Sequence, residues 1–135
     1  MSRALLVAVV VVGAGCGGHA ARVETKAKPA PRIHVQLTAD SHHPGVGKPW
    51  HYKVRVTDAT GKPVPAQIHL QILFGGSPVG QIGRHRVTNG VWQETIGGDG
   101  NQPFPARARG VPLVFQAIVT AKGQRRKAEF TIIVR

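Results

Sequence analysis

Cysteine, methionine and acidic residues are scarce in this sequence, and each scarcity excludes a class of structure. The chain has 135 residues and one cysteine, Cys16, so an intramolecular disulfide is impossible. The single methionine is Met1, which excludes a methionine-rich copper site in the processed protein. The chain has six acidic residues, and Asp58 and Asp99 lie in predicted turns. A carboxylate pair for glycoside cleavage is therefore hard to assemble.

The sequence also lacks the spacing of catalytic and nucleotide-binding motifs. Residues 75–80, Gly-Gly-Ser-Pro-Val-Gly, come close to a nucleophile elbow, but the closing glycine is one residue late and no helix follows. Residues 13–18 satisfy the pattern G-x-G-x-x-G without the helix that a dinucleotide site requires. We therefore predict that the protein is not an enzyme.

The first sixteen residues follow the order of a secretory signal. A basic start at Arg3 precedes the apolar run 4–12, which is too short for the roughly 20 residues of a membrane span. Small residues at 13–15 then precede Cys16, and this ending resembles the lipobox of bacterial lipoproteins, with Gly13 in place of the usual leucine. The resemblance implies that residues 1–15 are a signal peptide. It also implies that lipidated Cys16 anchors an exported protein to the extracytoplasmic face of a bacterial membrane.

Two further segments follow the signal. Residues 16–31 are dominated by glycine, alanine, lysine and proline without an apolar period, which predicts a flexible, lipid-anchored linker. Residues 32–135 are enough for one domain.

Positive charge is in large excess, with 18 basic residues against six acidic ones and a net charge of +12. Such an excess attracts polyanions over about 8 Å at physiological salt. In an exported chain the expected partners are an envelope protein, an acidic wall polymer or anionic lipid, and not nucleic acid, because no aromatic stacking platform is evident. The candidate residues are Arg107, Arg109, Arg125 and Arg126.

From Arg32 onward, apolar residues recur at every second position, as in strands with one buried face. Five such runs begin at Ile33, Trp50, Ile68, Leu113 and Ala128. Two weaker runs flank Asn89-Gly90, which is the strongest hairpin signal in the chain, and Lys122-Gly123 marks a turn before the last run. Seven short strands predict an all-β fold, a single immunoglobulin-like antiparallel β-sandwich.

Residues 54–66, Val-Arg-Val-Thr-Asp-Ala-Thr-Gly-Lys-Pro-Val-Pro-Ala, resemble the strand–turn–strand segment of bacterial immunoglobulin-like domains. We expect Asp58 to bond the turn backbone, Gly61 to take a positive φ and Pro63 to stiffen the exit. The same segment is similar to the exported YtkA-like family, which is linked to copper handling at membranes. The resemblance implies an alternative function as a metal-handling module.

Histidines are the candidate ligands for that alternative. The chain has seven, of which His42, His43 and His51 lie closest together in the sequence. Imidazole suits copper and zinc, so these three form the candidate site for either metal, and solvated loop histidines are the competing interpretation. The others within the strand runs, including His69 and His85, are predicted to lie on wet faces.

A long connection at 97–111 is the remaining candidate binding element. Phe104 lies between two prolines, and Arg107 and Arg109 follow it with alternate spacing. An aromatic ring beside arginines suits a binding surface, whereas the alternative places Phe104 at the end of the core. We also expect Trp92, next to the Asn89-Gly90 turn, to lie in the core. The sequence as a whole predicts a non-catalytic binding or scaffolding domain held at a membrane, with polyanion binding and metal handling as alternatives.

Overall fold

The protein is a sandwich of two antiparallel β-sheets, seen in a computed structural model that describes residues 32–97 and 104–135. The predicted all-β immunoglobulin-like fold is confirmed, with seven strands and one short 3-10 turn. The strands are β1 (Ile33–Ala39), β2 (Trp50–Asp58), β3 (Ala66–Phe74), β4 (Ser77–Val87), β5 (Val91–Ile96), β6 (Pro112–Ala121) and β7 (Gln124–Ile133), and the 3-10 turn is Ala106–Ala108. This described part contains no helix with the length and hydropathy of a membrane span.

Three strands form one sheet in the order β1-β2-β5, and four form the other in the order β4-β3-β6-β7. Successive strands run in opposite directions, so the connections gather at two ends of the sandwich. The end where the chain enters β1 also holds the connections 59–65, 88–90 and 122–123, and we call it the N-terminal end. The opposite, C-terminal end holds the connections 40–49 and 75–76 and the last residues of the chain.

The core between the sheets centres on Trp50, which is buried at the start of β2. The rings of Phe115 and Phe104 meet the Trp50 ring edge-on, at centroid distances of 5.0 and 5.4 Å. Each buried phenylalanine contributes about 2–3 kcal/mol by removing apolar surface from water. The Trp50 Nε1–H donates to the carbonyl of Ser41 at 2.8 Å, so the polar atom of the ring is satisfied.

Two glycine-containing turns connect the strands in different ways. Gly75 and Gly76, with φ of 57° and 82°, form a two-residue hairpin between β3 and β4 in the segment that resembles a nucleophile elbow. Asn89-Gly90 was expected to form a hairpin, and that prediction is wrong. It carries the chain from β4 in one sheet to β5 in the other, and the Gly90 carbonyl accepts a bond from the Val56 amide at 2.7 Å.

The turn at Asp58 has the predicted backbone bonds and the predicted positive φ at Gly61. One carboxylate oxygen of Asp58 accepts bonds from the backbone N–H of Thr60 and of Lys62, at 2.8 and 3.0 Å. Gly61 takes a φ of 85°. These bonds depend only on residues that are close in sequence, which is why the local motif is sufficient to predict them.

The alternating pattern fails at three positions of the four-stranded sheet. Phe74, in phase with the buried residues of β3, is 52% exposed; it is the last residue of the strand and follows the register shift between Ile72 and Leu73. Gln71 and Gln116 lie on the outer face and are nevertheless buried. They oppose each other on β3 and β6, and the Gln71 amide donates to the Gln116 carbonyl oxygen at 2.7 Å.

Candidate binding surface

A shallow trough crosses the outer face of the four-stranded sheet, in the half nearer the N-terminal end. Side chains of the central strands β3 and β6 form its floor, and basic side chains of the edge strands β4 and β7 flank it. The floor residues are Gln67, His69, Ile118 and Thr120, and the flanking basic residues, which we call the trough cations, are Arg84, Arg86, Arg125 and Lys127. The pocket lined by three of these cations has a volume of about 480 Å³.

Strand register sets the spacing of the trough cations. Arg86 on β4 and Arg125 on β7 end one row of four cross-strand neighbours, and Arg84 and Lys127 end the next row. Adjacent strands lie about 4.8 Å apart, so the two flanks are about 14 Å apart at their α-carbons. Successive cations on one flank are two residues apart on a strand, and therefore point to the same side of the sheet.

The trough cations carry uncompensated charge. Among the residues that the structure describes, none of the four forms an ion pair with a carboxylate. On the floor of the trough, the His69 ring forms a hydrogen bond of 2.6 Å with the side-chain oxygen of Gln81. Arginine offers a planar fork of N–H donors that matches carboxylate and phosphate oxygens. The arrangement can therefore hold an anionic chain or a row of anionic groups between two lines of donors.

Asp58 is the acidic residue at the N-terminal end of the sandwich, and its charge is already engaged. Its bonds to Thr60, reinforced by the backbone bond from Lys62 and by the nearby Lys122 ammonium, hold the pKa of its carboxyl below the ordinary range. The Lys122 Nζ lies 4.0 Å from the Asp58 carboxylate, across the gap between the sheets. Asp58 therefore neutralises one lysine at most and does not pair with a trough cation in the described part of the chain.

A second cluster of polar side chains lies between the edge strands β4 and β5. The Tyr52 hydroxyl donates to the Glu94 carboxylate and accepts a bond from Trp92 Nε1–H at 3.1 Å. Burial, together with the Glu94 bond, raises the pKa of Tyr52 far above its ordinary value. The ring of His85 stacks on Trp92, and its Nε2 lies 3.9 Å from the Glu94 carboxylate.

His85 corrects the expectation that it lies on a wet face. Its Nε2 is buried and has no hydrogen-bond partner among the residues that the structure describes. Burial lowers the pKa of the ring, and the Glu94 charge opposes this effect in part. On β4 it lies opposite Ile68, whose side chain faces the core. The alternation of apolar and polar residues in β4 is weak and interrupted by glycines. It therefore did not show that His85 lies on the buried face of the strand.

The structure separates the predicted metal ligands. His42 stacks on Phe130 with ring centroids 4.5 Å apart, while His43 lies on the exposed loop. His51, on the outer face of the other sheet, contacts Thr95, and its Nε2 lies 3.8 Å from the Asp40 carboxylate. Across residues 32–97 and 104–135, no three potential ligands come together around one point, so His42, His43 and His51 do not form the predicted site.

Phe104 lies in the core and is 1% exposed. This corrects the expectation that the segment presents its ring to a partner, because the ring is packed against Trp50. Arg107 and Arg109 are exposed at the C-terminal end, where Arg109 pairs with Val134 just after β7.

The four arginines predicted to bind a polyanion are thus divided between surfaces. Arg125 lies at the opposite end of β7 from Arg109, about 30 Å away along the strand. Arg125 and Arg126 are neighbours on β7 and point to opposite faces. Of the four predicted arginines, only Arg125 belongs to the trough. The sequence analysis did not identify the other trough cations, Arg84, Arg86 and Lys127. The spacing of Arg84 and Arg86, which lie two residues apart on a predicted strand, was the signal that could have placed both on one face.

Two predictions lie wholly or partly outside the described residues. Cys16, the predicted lipid attachment site, and the linker that follows it precede residue 32. Residues 98–103 of the long connection also lie outside the description.

No protein-family model matches this sequence, and no curated protein does. Among solved structures, the CARDB domain of the PF1109 protein from Pyrococcus furiosus, solved in complex with di-metal ions, is similar with a TM-score of 0.52 and 17% identity. The match covers 79% of this chain and 90% of that chain, and it shows a β-sandwich of CARDB type.

Two more solved structures resemble the chain more distantly. The sporulation control protein Spo0M from Bacillus subtilis has a TM-score of 0.45 and 14% identity, over 76% of this chain and 49% of that chain. The PmoD soluble domain from Methylocystis has a TM-score of 0.41 and 13% identity, over 78% of this chain and 92% of that chain.

Proposed function

We propose that this protein is a lipid-anchored protein of the bacterial envelope whose β-sandwich is a non-catalytic module that binds anionic groups. The observation that carries the proposal is the trough, where four basic side chains flank an exposed sheet face and have no carboxylate partner among residues 32–97 and 104–135. An uncompensated row of cations is costly for a compact domain because like charges repel one another. A ligand of opposite charge removes that cost.

The geometry favours an extended anionic ligand over a small one. The floor of the trough is a flat sheet surface open to solvent, and its flanks are separated by roughly 14 Å. A single small anion neutralises only part of the charge of the four trough cations, whereas a chain of anionic groups contacts both flanks along the trough. Wall polymers and lipid headgroups both present such repeated charge outside the cell.

The lipobox-like sequence supports anchoring at Cys16, and replacement of this residue tests it. We expect Cys16→Ser to move the protein from the membrane fraction to the soluble fraction, and the intact mass of the wild-type protein to include a diacylglyceryl and an acyl group. A wild-type mass without lipid would contradict the anchoring part of the proposal and leave the anion-binding part standing.

Titration with a soluble polyanion tests the binding part. We expect inorganic polyphosphate to bind the purified chain, with an affinity that falls steeply between low and physiological salt because the contacts are charged and exposed. Arg86→Gln combined with Arg125→Gln should weaken binding about tenfold or more, since each charged contact contributes about 1 kcal/mol or somewhat more.

The matched control changes the same charge at the other end of the molecule. Arg107→Gln combined with Arg109→Gln lowers the net charge by the same amount and leaves the trough intact. If both pairs weaken polyphosphate binding equally, the trough is not the site and only net charge matters. If the wild-type chain fails to bind at low salt, the proposed function is wrong.

A further inference from the structure

The basic residues of the domain are concentrated at the end from which the chain leads back to Cys16. β1 begins at Ile33, paired with Asp58, and this is the end that also contains the turn at Lys122. Nine of the fourteen basic residues in the described chain lie in the half of the sandwich nearer this end, with one of its four acidic residues, Asp58. Alternating strand directions produce this geometry, because they return three connections to the end where the chain enters.

Six of these basic residues surround the N-terminal end itself. They come from four separate parts of the chain: the entry to β1, the connection between β2 and β3, the last residues of β4 and the hairpin of β6 and β7. The six, which we call the N-terminal collar, are Arg32, Lys62, Arg86, Lys122, Arg125 and Arg126. All six are exposed.

We infer that the N-terminal collar and the adjoining trough dock the domain onto the anionic lipid headgroups of the membrane that holds its anchor. This inference rests on the proposed function and names the source of the anionic groups. Anionic lipids attract a basic residue close to the surface with an effect of about fivefold in affinity per residue. This attraction extends over about 8 Å, so only residues at the membrane-facing end contribute to it.

The covalent path to Cys16 leaves the domain at this end. Fifteen residues lie between Cys16 and Arg32, so the path between the two residues has sixteen steps and is about 55 Å long at full extension. The C-terminal end of the sandwich lies one strand length further away, about 30 Å for ten residues. Docking through the collar therefore directs the connections 40–49 and 75–76 away from the lipid.

The position of the cations around the chain entry favours the lipid over the wall polymer as the occupant. A wall polymer can approach the domain from any side, and its recognition gives no reason to gather cations around the chain entry. The tether to the membrane enters the domain at one end, and the collar surrounds that end. Arg86, Arg125 and Arg126 lie on strands of the four-stranded sheet, whereas Arg32 precedes β1 and Lys62 follows β2 of the other sheet, so the collar spans the end of the sandwich.

Vesicle binding by the unlipidated chain tests the inference. The probe is residues 16–135 carrying Cys16→Ser, with vesicles of phosphatidylcholine alone or with about one third phosphatidylglycerol, a composition that gives a negative surface potential. We expect binding to the anionic vesicles only. Arg86→Gln combined with Arg125→Gln should weaken it about 25-fold, because two charges are removed from the docking end.

The far-end pair provides the control. Arg107→Gln combined with Arg109→Gln should leave vesicle affinity within about twofold of the parent, since these residues lie several screening lengths from the docked end. Equal weakening by the two pairs would overturn the inference. Binding of polyphosphate without binding of anionic vesicles would overturn the inference and leave the proposed function standing, whereas failure to bind either would overturn both.

The orientation of the docked domain on the vesicle provides a second readout, which does not depend on net charge alone. The chain has no cysteine other than Cys16, so Ala59→Cys and Ser77→Cys can each carry a single fluorophore in the Cys16→Ser chain. Ala59 lies in a connection at the N-terminal end, and Ser77 begins β4 at the opposite end. We expect a headgroup quencher in anionic vesicles to quench the label at position 59 and not at 77. Equal quenching, or the reverse, would overturn the docking geometry.

Discussion

His85 of β4 stacks face to face on Trp92 of β5, with ring centroids 3.6 Å apart and planes 16° apart. The two strands are the edges of different sheets, so this contact joins the sheets along one side of the sandwich. Trp92 is half-buried and also donates to Tyr52, which places it in the inter-sheet layer as expected from the sequence. The stacked histidine has a buried Nε2 without a partner, so protonation of the ring is unfavourable in the folded protein.

We predict that stability falls in mild acid because of His85. Burial lowers the folded-state pKa of this histidine below its ordinary value of 6.5, so the unfolded chain binds the proton more readily. The contribution is present above the unfolded pKa and is lost as the pH falls through the folded pKa. Urea unfolding at about pH 7.5 and about pH 5 should show a lower free energy of unfolding at the lower pH.

The variant His85→Phe should flatten this dependence, because it preserves the stacked ring and removes the titrating group. His43→Gln, on an exposed loop, is the control and should retain the parent's slope. An unchanged pH slope in His85→Phe would contradict the assignment.

We predict that Tyr52 does not ionise in the folded protein at alkaline pH. It is the single tyrosine of the chain, so tyrosinate absorbance near 295 nm reports on it alone. Burial and the Glu94 carboxylate raise the folded-state pKa of Tyr52 above its ordinary value of 10.0, so this stabilising effect is lost as the pH rises above that value. Absorbance should therefore increase together with loss of the folded circular dichroism signal. An increase near pH 10 with the fold intact would show that the hydroxyl is accessible.

We predict that Gly90→Ala is far more destabilising than Gly123→Ala. Both glycines have a positive φ, 69° and 71°, which is strained for alanine. A Cβ at Gly90 would lie 2.5 Å from the Val56 carbonyl oxygen, whereas one at Gly123 meets nothing within 4 Å. The backbone strain alone costs about 1 kcal/mol, so Gly123→Ala measures it and the excess at Gly90 measures the clash. Equal losses in urea unfolding would show that the crossover between the sheets tolerates a side chain.

We predict an asymmetry at the buried glutamine pair. Gln116→Leu removes the acceptor of the Gln71 amide and should destabilise the fold by about 1–3 kcal/mol, because a buried donor is left unpaired. Replacing both residues with leucine removes the unpaired group and should restore part of the loss. A double variant that is less stable than Gln116→Leu alone would contradict the prediction, because the unpaired Gln71 amide would then not be the source of the loss.

Local sequence was sufficient for the strands and for the Asp58 turn. Alternation of apolar and polar residues follows from side chains pointing to opposite faces of a strand, and it predicted the existence of the strands. The bonds of Asp58 to Thr60 and Lys62 span four residues at most, so no distant part of the chain is needed to form them. Arg125 was likewise recognised as a candidate for anion binding from the charge of its segment.

The partners of each strand were decided only by the tertiary structure. Periodicity assigns residues to a face of a strand, but it does not identify the neighbouring strand. It therefore could not show that Asn89-Gly90 connects two sheets, because the local sequence favours a hairpin. Arg84 and Lys127 flank one trough because β3 and β6 pair between their strands, a contact between segments more than forty residues apart. The inward face of His85 was decided in the same way, because the glycine-rich β4 carries too weak a pattern to identify its buried side before it pairs with β3.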